Sequence, residues 1–293
     1  MLDERLISCI AEEVVRQLQE KGYVILPDRE KKAAPASGVP MDREDIASPA
    51  CKAKPLLKDP CDREALMRMK GYTNARIGVG KAGPRLNTQT MLAMRADHAK
   101  ARDSVFTDAD PKLMERMRLM TVQTMCDCKD TYVTRPDLGR KLSDESVDAI
   151  RRGCSANPDV QIFAADGLSS SAIEANLERI LPILTDGLKA KGLKVGTPFY
   201  LRYGRVAAED HVSEVLGAKV VCVLIGERPG LATAESMSAY IVYNAYVGMP
   251  ESKRTVVSNI HKDGLPAVEA GAYIVEVIDQ ILQQKASGVD LVK

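Results

Sequence analysis

The sequence predicts an α/β protein: a Rossmann-like, mostly parallel sheet flanked by helices, with a mainly helical part before it and an N-terminal amphipathic helix plus linker. Three observations carry that prediction. Val220-Val221-Cys222-Val223-Leu224-Ile225 runs without a polar break and stops at Gly226, as a strand buried on both faces does. From residue 160 onward strand-like and helix-like segments alternate, the order that folds as parallel strands joined by crossover helices. The N-terminal end instead shows one amphipathic repeat and then a proline-rich stretch.

Taken in order, residues 1–25 form the amphipathic helix. Leu2, Leu6, Ile10, Val14 and Leu18 repeat at helical spacing, with Ile7 and Val15 alongside and charges on the other face. Residues 26–61 read as a flexible linker. Pro27, Pro35, Pro40, Pro49, Pro55 and Pro60 fall there with little periodic apolar pattern, and such a composition buries too little to order itself. A tethered amphipathic helix must dock on something, either its own chain or a partner. Residues 62–156 read as mainly helical, most clearly at 87–101 and 112–126, with turns such as Gly83-Pro84.

Residues 157–293 read as the α/β domain. A strand at 160–165 leads to a helix at 171–190 that opens on serines, which are good N-caps. A strand at 195–203 and a helix at 206–216 follow, then the strand that ends at Gly226. Further strands are expected at 238–246 and 256–257. A helix at 266–284, with proline near its first turn, closes the chain.

Composition excludes several classes of function. Lys and Arg total 41 against 40 for Asp and Glu, a formal net charge of +1, so there is no basic field for nucleic acid or an anionic membrane. No apolar run approaches the roughly 20 residues of a membrane span. Asp3, Glu4, Arg5, Glu12, Glu13 and Arg16 interrupt any secretory core, and the expected location is the cytoplasm. The seven cysteines (Cys9, Cys51, Cys61, Cys126, Cys128, Cys154 and Cys222) lack a disulfide-framework spacing and read as reduced thiols. Cys126-Asp127-Cys128 has no second ligand pair at zinc-like spacing, so no metal site is expected.

Three strand ends carry polar, glycine-bearing loops: 165–171, 203–206 and 226–230. Ligands of parallel α/β sheets gather at such carboxyl ends. In the first loop, backbone N–H groups at a helix start suit an anion or an amide oxygen; alternatively Asp166 and the serines simply cap the helix. In the third, Glu227 can accept hydrogen bonds from a ligand's amides or hydroxyls, or it pairs with Arg228 on the surface for about 1 kcal/mol or less. The 165–171 loop is not G-x-G-x-x-G, and G-x-x-x-x-G-K-[ST] occurs nowhere in the chain. His98 reads as solvated and His211 as a surface partner of Asp210, while His261 sits in a loop able to line the rim. No serine is marked as activated. On these residues alone the chain holds a ligand without its own catalytic group.

Several blocks together resemble one family. They are Gly80-Lys81-Ala82-Gly83-Pro84-Arg85, Tyr132-Val133-Thr134-Arg135-Pro136-Asp137-Leu138-Gly139-Arg140, Asn157-Pro158-Asp159-Val160 and Asp166-Gly167-Leu168-Ser169. Gly196-Thr197-Pro198-Phe199-Tyr200-Leu201-Arg202-Tyr203-Gly204-Arg205, Gly226-Glu227-Arg228-Pro229-Gly230-Leu231 and Ser258-Asn259-Ile260-His261 extend the match. From about Tyr72 to the C-terminus the chain is similar to the small (light) subunit of ethanolamine ammonia-lyase, an adenosylcobalamin-dependent enzyme.

The resemblance implies a division of labour within a hetero-oligomer of α6β6 type. A large subunit's (β/α)8 barrel binds ethanolamine and hosts the radical chemistry that yields acetaldehyde and ammonia, and the small subunit covers the cobalamin at the interface. Its cobalamin contacts then fall on Val206, Glu227 and Val256, with no catalytic residue and no metal ligand in this chain. The Asp-x-His-x-x-Gly motif of base-off cobalamin domains is missing, so the resemblance implies base-on binding. The N-terminal helix and linker resemble encapsulation peptides, which implies residence in a bacterial microcompartment through its shell. Two other readings of the residues stand beside this one: a non-catalytic microcompartment cargo adaptor, and a free-standing α/β enzyme binding an anionic metabolite at the Asp166 loop.

Overall fold

The apolar run at 220–226 lies where its composition demands, inside a six-stranded sheet. The structure is a computed structural model that describes residues 45–292. A short hairpin, β1 (Lys81–Ala82) and β2 (Arg85–Leu86), stands apart. The main sheet contains β3 (Met120–Gln123), β4 (Val160–Ala165), β5 (Phe199–Arg202), β6 (Val220–Gly226), β7 (Met237–Tyr243) and β8 (Thr255–Ile260). Their spatial order is β3-β5-β4-β6-β7-β8. The first four run parallel, and β7 and β8 join antiparallel. The α/β class with a mixed, mostly parallel sheet therefore holds.

The helices are α1 (Pro49–Ala53), α2 (Arg63–Gly71), α3 (Thr88–Phe106), α4 (Pro111–Arg116), α5 (Lys129–Thr134), α6 (Asp144–Gly153), α7 (Ser170–Ala190), α8 (Ala208–Leu216) and α9 (Ala267–Gln284). The amphipathic segment 1–25 and the linker up to residue 44 lie outside the described residues. The remainder of the linker stretch carries α1, capped by the Ser48 side chain. Beyond it the Leu56 and Leu57 N–H groups both donate to the Gly78 carbonyl.

Every residue of β4 and β6 is buried, so the sheet needs cover on both faces. On one face Ile173, Leu177, Ile180 and Leu184 of α7 meet Ile274, Ile278 and Ile281 of α9 over Ile162, Cys222, Leu224 and Ile241. On the other, Ile150 of α6 and Val212 and Leu216 of α8 pack on Phe163, Phe199, Val221 and Val223. Phe163 and Phe199 stack with ring centroids 5.3 Å apart. Each such side chain, fully buried, contributes about 1.5–3 kcal/mol. Because α7 follows β4 on one face and α8 follows β5 on the opposite face, the adjacent ends of β4 and β5 form the sheet's switch point, where ligands of this architecture bind.

Three expectations for the elements are corrected. Residues 112–126 are not one helix: α4 ends at Arg116, Arg118 turns the chain at φ 53°, and Met120–Gln123 becomes an edge strand. All four of its residues pair with β5, and Val122 buries against the second face, so tertiary pairing overrides helical propensity. The strand expected from residue 195 begins at Phe199, with Val195 making only an isolated bridge to Val160. Pro198, which has no N–H to donate, marks that delay. The short strand at 256–257 extends to Thr255–Ile260, helped by a register shift between Met237 and Ala239 of its partner.

Candidate functional site

At the switch point the first residue after β4 is Asp166, fully buried. Its Oδ1 accepts the Tyr203 N–H at 2.8 Å, and its Oδ2 pairs with Lys129 Nζ at 2.5 Å. Burial pushes the Asp166 carboxyl up, and the Lys129 ammonium opposes that shift. The ammonium also lies 5.4 Å and 5.3 Å from the ring centroids of Tyr132 and Tyr203, within cation–π range. One carboxylate thus ties the ends of β4 and β5 to α5. It does not cap a helix: Ser169 is the N-cap of α7. Nor are the Ser169 and Ser171 hydroxyls of that loop free for an anion. Ser169 and Ser171 lie within hydrogen-bond distance of each other, of Ser104 Oγ and of the Ala234 carbonyl.

Asp166 fixes a strained turn. Tyr203 has φ 57°, a left-handed conformation that side chains other than glycine seldom adopt. Gly204 follows because a Cβ there would stand 2.9 Å from that of Ala165. Arg205 then donates its N–H to the Gly139 carbonyl at 2.8 Å and its Nη2 to the Tyr132 carbonyl at 2.7 Å. Val206 comes next, half-buried against the second face of the sheet.

Glu227 continues β6 past the core. Its N–H donates to the Ser236 carbonyl at 3.0 Å, and Tyr240 Oη donates to its Oε1 at 3.1 Å. Burial, and after it the Glu227 charge, push the Tyr240 phenol up to about 12, so it stays a donor at neutral pH. Among the described residues Glu227 has no ion pair, with Arg228 or any other group.

Val256 lies directly opposite Tyr240, which lies opposite Val223. Directly paired residues share a face of the sheet, and Tyr240 packs on the same cluster as Val206. Val256 is 45% exposed there. The structure therefore puts Val206, Val256 and, through Tyr240, Glu227 on one face. Tyr240 escaped the sequence argument. Its only signal was a tyrosine within the expected strand at 238–246, and its partner is fixed by antiparallel register.

Two of the three histidines differ from expectation. His98 is exposed. His211 Nδ1 accepts the Leu142 N–H at 3.1 Å, and Asp210 pairs with Arg254 instead. His261 is buried beneath the rim, its Nδ1 accepting the Asp263 N–H and its Nε2 facing Asn259 Oδ1 at 2.8 Å. Cys126 is buried, which raises its thiol, whereas Cys128 is exposed beside Thr131. Among the described residues no group of three or more His, Cys, Asp or Glu is placed to hold a metal ion, and no helix is long and apolar enough to cross a membrane.

The fold and this rim define an α/β protein whose polar loops gather at the carboxyl ends of a mostly parallel sheet, the class that holds ligands there. The family model of the ethanolamine ammonia-lyase light chain matches residues 63–292. A Clostridium tetani protein named ethanolamine ammonia-lyase small subunit is 51% identical over 293 residues, 99% of each chain. Proteins of the same name are 56% identical in Fusobacterium nucleatum over 235 residues (80% of each chain) and 51% identical in Listeria monocytogenes over 247 (84% of each). The chain belongs to the ethanolamine ammonia-lyase small-subunit family and is thus a lyase subunit.

Proposed function

We propose that this chain covers and holds adenosylcobalamin at its interface with the large subunit of ethanolamine ammonia-lyase, through Val206, Glu227 and Val256. The observation that carries the reading is the Val223–Tyr240–Val256 row with Glu227 hydrogen-bonded at its edge. A corrin offers apolar methyl groups and a fringe of amides, and the residues present fit both. Val206 and Val256 supply half-covered apolar surface. Glu227 Oε1 is oriented by Tyr240, which leaves the carboxylate able to accept amide N–H groups.

Bound in such a seat, the cofactor would supply radical chemistry that no side chain of this chain offers. The residues of this chain bind, orient and exclude water. Base-on binding accords with two of the histidines: His211 and His261 each have ring nitrogen committed within the protein. We read the parallel half of the sheet as Rossmann-like, the large subunit as the partner in an α6β6-type assembly, and residues 1–25 as a shell-directed signal that places the enzyme in a microcompartment.

The test is spectrophotometric titration of the assembled two-subunit complex with cyanocobalamin. Glu227→Ala is expected to weaken binding roughly tenfold, the loss of one charge-assisted hydrogen bond, with assembly intact. Unchanged affinity would remove Glu227 from the site.

A further inference from the structure

Below the rim lies a buried charge cluster that the proposed contacts do not use. Arg254, Glu209 and Asp210 are each 5% exposed or less. Arg254 Nε donates to Glu209 Oε2 at 3.2 Å, and its Nη2 donates to Asp210 Oδ1 at 2.6 Å. Its Nη1 reaches the Met249 and Pro250 carbonyls and the Glu251 carboxylate. Glu209 Oε1 in turn accepts the Val223 N–H at 3.3 Å.

The connectivity of this cluster is informative. Glu209 and Asp210 occupy the first turn of α8, three and four residues after Val206. Arg254 precedes β8 and stands two residues before Val256. Val223 is the β6 member of the Val223–Tyr240–Val256 row. One guanidinium therefore links the element that begins after Val206 to the strand that carries Val256, and its carboxylate partner is anchored on the strand between them.

Energetics say why this link would be charged. A buried ion pair is a poor source of stability compared with apolar packing of the same volume, because desolvation offsets most of the attraction. What a planar five-donor fork provides is fixed direction and spacing. We propose that Arg254, with Glu209 and Asp210, is a positioning clamp that sets the spacing between Val206 and Val256 and so the fit of the cofactor's seat. The clamp rests on the reading of that rim as the cobalamin site.

The experiment is titration of the assembled complex with cyanocobalamin, beside a melting curve of the same preparation. Arg254→Lys keeps the charge and loses the fork; it is expected to weaken binding roughly tenfold, the scale of a small misplacement of contacting groups. Leu188→Ala, fully buried on the opposite face of the sheet, serves as a control for destabilisation alone. It is expected to lower the melting temperature at least as far while changing affinity less than about twofold. Wild-type affinity in Arg254→Lys, or an equal loss in Leu188→Ala, overturns the clamp. Should Arg254→Lys fail to assemble, Asp210→Asn removes one prong as a neutral isostere; weakened binding supports the clamp and wild-type affinity overturns it. Weakening by Glu227→Ala without weakening by the clamp variants leaves the seat and discards the clamp, whereas no effect of Glu227→Ala removes the seat itself.

Discussion

Tyr240 is what turns Glu227 from a solvated carboxylate into an oriented one. Its phenol donates to Oε1 and keeps its proton at any working pH, so Tyr240→Phe should weaken cyanocobalamin binding about threefold, less than Glu227→Ala, because only orientation is lost. A loss as large as that of Glu227→Ala would make Tyr240 a contact in its own right. Glu209 allows a test by pH. Burial raises its carboxyl well above the ordinary value against the pull of Arg254 and the Val223 N–H, while Asp210 nearby adds to the rise. An acid with a raised folded-state pKa keeps its proton in the native chain after the unfolded chain has lost it, so its contribution to stability falls as pH rises from about 4 toward that value. The urea midpoint of Glu209→Gln should therefore gain on that of wild type between about pH 4 and pH 7. A constant difference across that range would show that Glu209 carries no such burial penalty. At this scale Glu227 was legible because a carboxylate directly follows an apolar run. Tyr240, Lys129 and Arg254 were not, since their partners lie 13, 37 and 45 residues away in sequence and are brought close only by sheet register and helix docking.

Elements show where local pattern is enough. A strand whose every residue is apolar, such as β6, and a long helix with a serine start and a regular stripe, such as α7, declare themselves. Strand β3 does not. Met120, Thr121, Val122 and Gln123 are neutral between helix and strand until β5 offers four pairing partners. The β4 and β6 ends also depend on a close backbone crossing. A Cβ on Gly226 would stand 2.0 Å from the Ser169 carbonyl oxygen, and one on Gly167, at φ 55°, would stand 2.3 Å from the Gly226 carbonyl oxygen. Leu168 N–H donates across that gap to the Gly226 carbonyl at 3.0 Å. Gly226→Ala is expected to destabilise the chain by about 3 kcal/mol, since only backbone can yield, and urea unfolding measures it. A change below about 0.5 kcal/mol would mean that the two loops separate freely.

For the molecule as a whole, the sequence conveyed class and chain order better than contacts. Alternating segments implied a mostly parallel sheet, whereas the antiparallel placement of β7 and β8 could not be read from two apolar segments, which look alike in either direction. The six cysteines of the described chain are all free thiols, so reductant should leave the melting temperature of the complex unchanged; a fall on reduction would reveal a cross-link. Fusing residues 1–25 to a fluorescent protein in shell-forming cells should produce puncta, and diffuse fluorescence would argue against a shell signal.

The antiparallel pair has a geometric consequence. In a parallel sheet each new strand arrives with a crossover helix that roofs a neighbour, so widening the sheet never opens a floor. Strands β7 and β8 arrive through the loops 227–236 and 244–254, which carry no crossover α-helix, and on the side of Tyr240 the sheet extends to the 45% exposed Val256 as a terrace. Each strand adds roughly 4.8 Å to that terrace. Its breadth is therefore counted in whole strands, each laid down without reshaping the core beneath.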